Sequence, residues 1–214
     1  MASLPSLLIF DCDGVLVDSE ELGIRVLMDA AREQGPLAMD LAEAMTLFRG
    51  RKMAECVAIL SERVGKPFPE DFTPKFRGRQ AEVFRDQLKP IPGIHAALKE
   101  ITIPMCVASN GPTEKIALSL SVTGLLPFFE GRIFSSYELQ TWKPDPGLFL
   151  HAAAALSVAP KDCAVVEDSV LGVRAGLAAG MRVFAYTAEG DTPEFHLPNV
   201  TSFQRMGDLP PLLR

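Results

Sequence analysis

Short apolar runs that each stop at polar residues narrow this chain's folding options more than any other feature. They are SLLIF before Asp11, IPMCVA at 103–108 before Ser109 and Asn110, GRIFSS at 131–136, CAVV at 163–166 before Glu167 and Asp168, RVFAY at 182–186, and a weaker VTSF at 200–203. Within them the apolar residues are continuous rather than alternating, the pattern of strands covered by helices on both faces. Helix-like segments lie between. GPTEKIALSLSV has Pro112 placed for a first turn, with Asn110 and Gly111 as caps; PGLFLHAAAALS carries apolar residues at helical spacing; SVLGVRAGLAAG ends on Gly180, which suits a helix C-terminus. Strands alternating with helices predict an α/β fold with a doubly wound parallel sheet.

Residues 17–88 break this rhythm. They hold helical patterns such as RKMAECVAILSERVG, with Met53, Cys56, Val57, Leu60 and Val64 on one side, and show no strand pattern. KPIPG, Lys89 to Gly93, reads as a stiff return to the α/β part. The predicted organisation is a core from 1–16 and 89–214 with a helical insertion at 17–88. A chain of 214 residues is long enough for such a core and a small second lobe.

Composition removes several function classes. A net charge of −6 repels phosphate backbones, so nucleic acid is not expected as a partner. MASLPSLLIF has no basic region and only a four-residue apolar run, which predicts neither a signal peptide nor a membrane span. Cys12, Cys56, Cys106 and Cys163 form no CxxC pair, and the three histidines are scattered, so zinc is not expected and a reducing cytoplasm fits best.

Ligands of open α/β sheets bind beyond the carboxyl ends of the strands. Asp11, Asp13, Ser109, Glu167 and Asp168 fall at such ends, and Lys143 follows the strand at 131–136. Asp13-Gly14 alone is an ordinary turn dipeptide; gathered with the other acids it reads differently. Two unit charges 4 Å apart interact by roughly 4 kcal/mol at an effective dielectric of 20, so four carboxylates in one place call for a cation. Oxygen ligands point to Mg²⁺. Ser109, Lys143 and the amides at the Pro112 helix start offer donors for the far side of a phosphate, and Asn110 reads either as a further phosphate contact or as a cap.

The stretches DCDGVLVDSE, VASNG, WKPDP and VVEDSVLGVRAGLAAGM resemble, in order, the four signatures of the haloacid dehalogenase superfamily, and the helical insertion resembles its C1 cap. The resemblance covers essentially the whole chain. It implies a Rossmann-like core and makes Asp11 the nucleophile that forms an aspartyl-phosphate. Asp13 would be general acid and then base, with a proton affinity raised by the surrounding acids. Ser109 and Lys143 would bind phosphoryl oxygens, and Lys143 would also neutralise Asp11. Mg²⁺ would be held by Asp168, by the Asp11 side chain and by Asp13 mainly through its carbonyl, with Glu167 assisting directly or through water.

Within the superfamily, dehalogenases typically lack the second Asp. The β-phosphoglucomutases share all four signatures but usually carry a histidine four residues after the one closing the first; here Ser19 is followed at that distance by Gly23. A phosphatase is the better reading, with the mutase as its rival. A non-catalytic sugar-phosphate sensor would be expected to lack Asp11 or Asp13. In FRGRKM, Arg51 and Lys52 follow Gly50 at the start of a cap helix, where they either meet an anionic substrate tail or stand in solvent. IPMCVASNGP and FSSYELQTWKPDP resemble bacterial 6-phosphogluconate phosphatases of this branch. The expectation is a monomeric, Mg²⁺-dependent phosphomonoesterase acting on a small phosphorylated metabolite, a sugar phosphate or sugar-acid phosphate.

Overall fold

The computed structural model describes residues 4–188 and 190–213; positions 1–3 of the opening segment, read above as lacking basic residues, lie outside them. The chain begins with β1 (Leu7–Phe10) and then runs through four helices, α1 (Glu20–Arg32), α2 (Leu41–Phe48), α3 (Met53–Val64) and α4 (Phe72–Gln87). Next come α5 (Ile94–Glu100), β2 (Met105–Ser109), α6 (Thr113–Val122), the single turn α7 (Leu126–Phe129), β3 (Ile133–Ser135) and the single turn α8 (Ser136–Leu139). The chain continues through α9 (Gly147–Ala155), β4 (Cys163–Glu167), α10 (Val170–Ala178), β5 (Arg182–Tyr186), β6 (Val200–Phe203) and the short α11 (Leu209–Leu212).

All six strands pair in parallel, in the order β3-β2-β1-β4-β5-β6. This is the doubly wound parallel sheet expected from the uninterrupted apolar runs, and the Rossmann-like core that the resemblance implies; the reason is visible in the burial. Leu8 and Phe10 of β1 join Val107 under α5 and α6, while Leu7 and Ile9 join Cys106, Ala108 and Val165 under α9 and α10. Side chains alternate across a strand, so with both faces covered every residue of β1, β2 and β4 is buried. The strand order reverses at β1, whose neighbours on either side are β2 and β4. That makes the carboxyl end of β1 the topological switch point where a crevice opens.

Residues 20–87 are helical throughout their regular structure and have a core of their own, built from side chains such as Leu27, Met28, Phe48, Leu60, Phe72 and Phe76. The two chain crossings between this segment and the sheet lie side by side. Asp18 donates its N–H to the Lys89 carbonyl at 2.9 Å, and Ile91 donates to the Leu16 carbonyl at 3.0 Å. Among the described residues no helix is long and apolar enough to cross a membrane, and the four cysteines are buried and free.

Candidate active site

Three adjacent strands and one loop bring the predicted residues to the switch point. Asp11 extends the β1 ladder by one more bond, its N–H to the Val166 carbonyl at 2.9 Å, so its carboxyl leaves at the sheet's edge. Ser109 closes β2, and Glu167 closes β4 with Asp168 next in the chain. Gly14 turns the chain beneath these acids at φ +75°; a Cβ there would lie 2.1 Å from the Asp168 carboxylate, so only glycine lets the backbone pass. Asp11, Asp13, Ser109, Asn110, Lys143, Glu167 and Asp168 all line one chamber of about 400 Å³, roofed by the helical segment.

Lys143 is the hub. Its Nζ lies 2.6 Å from Asp11 Oδ1 and 2.6 Å from Glu167 Oε1, and its side chain is 3% exposed. Its backbone N–H donates to Asn110 Oδ1 at 3.1 Å, and that oxygen also accepts from the Ser136 hydroxyl at 2.8 Å. Asn110 thus holds the lysine's loop, and α6 takes no side-chain cap. Ser109 Oγ, buried at the chamber wall, accepts from the Gly111 N–H at 3.1 Å.

Glu167 is fully buried and fully engaged. Its Oε2 accepts from the N–H groups of Asp168 and Ser169, both at 3.0 Å, and from the Ser169 hydroxyl at 2.9 Å, while Lys143 takes Oε1. The carboxylate therefore sits on the amino end of α10, where the helix dipole favours negative charge. Helix α10 packs hard on it: a Cβ at Gly172 would fall 1.8 Å from Glu167 Oε1. Because that oxygen cannot give way without breaking the Lys143 contact, Gly172→Ala is expected to cost about 1–3 kcal/mol of stability and to slow turnover. Denaturant melts of the two proteins check this, and an unchanged midpoint would show that Glu167 is not pinned as described.

Asp13 departs from the sequence expectation. The surrounding acids were expected to raise its proton affinity, but the carboxyl is held below the usual carboxylate range. Burial alone would raise it; Lys115 overrides that with its Nζ 2.6 Å from both carboxylate oxygens, aided by a hydrogen bond from Ser19 Oγ. Asp11 behaves as the crowded acid instead. Burial pushes it well above the usual range, Lys143 pulls it back, and Glu167, Asp168 and Asp13 add to the rise. Asp168 is raised by burial and by Glu20 and Glu167, against Arg49.

Arg49 and Lys115 are the residues that sequence reasoning did not single out. Arg49 reaches down from the end of α2, placing Nη2 2.5 Å from Asp168 Oδ2 and Nε 2.6 Å from Glu20 Oε2. Its signal in the sequence is its place in FRGRKM, two residues before Arg51. Lys115 sits in a segment that reads as plain helix, and nothing local marks it. Of the two cap cations expected to face the site, Arg51 lines the chamber, with Glu55 at 3.7 Å, whereas Lys52 is turned onto the Trp142 ring, its Nζ 4.3 Å from the centroid.

One oxygen each from Asp11, Glu167 and Asp168 lie within 4.8 Å of one another. An all-carboxylate set of hard donors fits a divalent cation of the Mg²⁺ type and does not favour a softer transition metal.

The chain is similar to several known proteins. The 6-phosphogluconate phosphatase of Escherichia coli K12 is 39% identical to the chain over 204 residues, covering 95% of this chain and 92% of that protein. A phosphorylated carbohydrates phosphatase of Thermotoga maritima is 32% identical, with 81% of each chain covered. Among solved structures, a HAD family hydrolase of Deinococcus radiodurans with bound phosphate and sodium superposes with a TM-score of 0.76 at 28% identity, covering 97% of this chain and 94% of that one. Residues 5–180 match the family profile described as haloacid dehalogenase-like hydrolase. A parallel sheet reversing at β1, with its acids and buried lysine at that point, and a match over most of the length lead to one statement: the chain belongs to the haloacid dehalogenase-like hydrolase family.

Proposed function

We propose that the protein is a Mg²⁺-dependent phosphomonoesterase that hydrolyses a small phosphorylated sugar or sugar acid, such as 6-phosphogluconate, through a phosphoryl group carried on Asp11. The observation that carries this reading is buried Asp11, lining the chamber at the carboxyl end of β1, with buried Lys143 2.6 Å from its carboxylate. Relatives named as phosphatases of 6-phosphogluconate and of phosphorylated carbohydrates support the substrate class.

Asp11 and Asp168 would hold the cation, since Glu167 has its oxygens engaged by Lys143 and the start of α10. When bound, it would supply positive charge to the phosphoryl oxygens and to the Asp11 carboxylate. Lys143 opposes the effect of burial and favours the ionised form of Asp11, the form whose oxygen attacks phosphorus. The Asp11–phosphorus bond forms as the ester P–O bond breaks, and Asp13 gives a proton to the departing alkoxide. Asp13, now a carboxylate, removes a proton from water; the water oxygen attacks phosphorus, and phosphate leaves with Asp11 restored. Ser109 and Lys143 donate to the phosphoryl oxygens throughout.

The Lys115 pair gives Asp13 its timing. In the free enzyme the ammonium holds Asp13 ionised, which is the wrong state for an acid. A phosphate dianion entering beside it competes for Lys115 and adds negative charge. Both effects raise the proton affinity of Asp13, which takes up a proton from solvent before the ester bond breaks and passes that proton to the alkoxide. Residues 17–88 act as a cap that excludes water from this exchange, with the paired crossings at Asp18–Lys89 and Leu16–Ile91 as its hinge. Four buried thiols without a disulfide among the described residues suit a reducing, cytoplasmic setting.

The test is phosphate release from 6-phosphogluconate, glucose 6-phosphate and β-glucose 1-phosphate with Mg²⁺ or with EDTA. The expected result is release from at least one sugar phosphate that falls more than about 100-fold on chelation. Conversion of β-glucose 1-phosphate to glucose 6-phosphate without net release would make the protein a mutase.

A further inference from the structure

We propose that Arg77, carried on α4 and braced against Tyr137, binds a second anionic group of the substrate, a carboxylate at the end remote from the phosphate. The inference rests on the phosphatase reading above and narrows its substrate to phosphorylated sugar acids.

Most cations around the chamber already have an acidic partner. Lys143 is engaged by Asp11 and Glu167, Lys115 by Asp13, and Arg49 by Asp168 and Glu20. Lys52 lies on Trp142 and does not line the chamber. Arg51 does line it, but its side chain is 44% exposed and has Glu55 one helical turn away. Arg77 differs on each count. It is half-buried, it lines the chamber, and among the described residues no carboxylate is paired with it.

Helix geometry sets what surrounds it. Phe76, Arg77, Gln80, Ala81, Phe84 and Arg85 all line the chamber, and their spacing of three and four residues is that of one helix face. That face is an apolar stripe interrupted by an amide and two guanidinium groups. Gln80 can both donate to and accept from sugar hydroxyls. Arg85 is exposed, which leaves Arg77 as the shielded cation of the stripe.

Tyr137 fixes its direction. The Arg77 guanidinium carbon lies 4.9 Å from the Tyr137 ring centroid, within the range of a cation–π contact. Tyr137 belongs to α8 on the sheet side of the chamber, so the arginine spans from the cap to the core. A planar fork held on a ring loses little freedom on binding, and its geometry matches a carboxylate with two parallel hydrogen bonds. Such a charge-assisted pair corresponds to roughly 10- to 100-fold in binding.

Steady-state kinetics of the full chain with Mg²⁺, on 6-phosphogluconate and on glucose 6-phosphate, test the assignment in the wild type and in Arg77→Met, Arg77→Lys and Tyr137→Leu. The wild type is expected to favour the sugar acid in kcat/KM. In Arg77→Met, KM for 6-phosphogluconate rises roughly 10- to 100-fold with a much smaller change in kcat, and the preference collapses. Arg77→Lys restores part of it, and Tyr137→Leu loses part. A preference kept in Arg77→Met, or an equal loss on both substrates, overturns the role of Arg77 while the phosphatase reading stands. A wild type that hydrolyses both substrates equally overturns the sugar-acid specificity and this inference together; no release from either overturns the function itself. Should Arg77→Met fail to fold, the lysine and Tyr137 variants carry the same comparison.

Discussion

Replacing Asp11 with Asn is expected to abolish phosphate release, by roughly 10⁴-fold or more, with the fold intact. The size follows from removing the atom that makes the bond, since knocking out a nucleophile removes most of an enzyme's rate acceleration at once. Survival of the fold follows from the charge balance. Asp11 is buried beside Glu167, Asp168 and Asp13, all of which disfavour its ionised form. An amide has nearly the same shape and relieves that repulsion, and Lys143 keeps Glu167 as a partner at 2.6 Å. The melting temperature should therefore hold or rise. Acid-quenched single turnovers add a direct check: the wild type should carry one phosphoryl group per chain by mass, and Asp11→Asn none. A variant that keeps a tenth of the activity would remove Asp11 from the chemistry.

Much of this was legible in the sequence, and the division has a physical basis. Runs such as LLIF and MCVAS are short, uninterrupted and separated by helical patterns, which marks them as strands covered on both faces, so the sheet and the alignment of Asp11, Ser109, Glu167 and Asp168 at its edge follow from pattern and chain order. What the pattern does not hold is the partner of each charge. Lys115 looks like any helix lysine until α6 packs beside the Asp13 turn, and only then does it reverse the shift expected of Asp13. FRGRKM carries three cations, and no periodicity says which one points inward. The backbone decides: Gly50 adopts φ +71° between Arg49 and Arg51, sending the first to Asp168, while Lys52 is sent to Trp142. Arg77 was invisible for the same reason, being one of several basic residues on a helix whose phenylalanines read simply as core.

Lys143→Met should damage stability as well as activity. In the wild type one ammonium, 3% exposed, lies between two carboxylates that are themselves almost wholly buried. Methionine fills similar volume but leaves Asp11 and Glu167 facing each other without a counter-charge. Glu167 has little room to relax, because the backbone of α10 and the Ser169 hydroxyl hold its other oxygen. Breaking a buried pair by removing one partner typically costs 3–5 kcal/mol, and about that loss is expected in denaturant unfolding without metal. Turnover should fall by at least about 100-fold, since a donor to the phosphoryl group and the charge that favours ionised Asp11 go together. The sharper signature is the response to Mg²⁺. With one positive charge fewer, the acids should bind the cation more tightly, so the same added Mg²⁺ should raise the variant's melting temperature more than the wild type's. A loss below about 1 kcal/mol would mean the two acids share a proton instead of a lysine. An equal Mg²⁺ response in both proteins would mean that the cation and Lys143 do not compete for the same negative charge, and the site would have to be redrawn with Asp168 alone as its metal-binding acid.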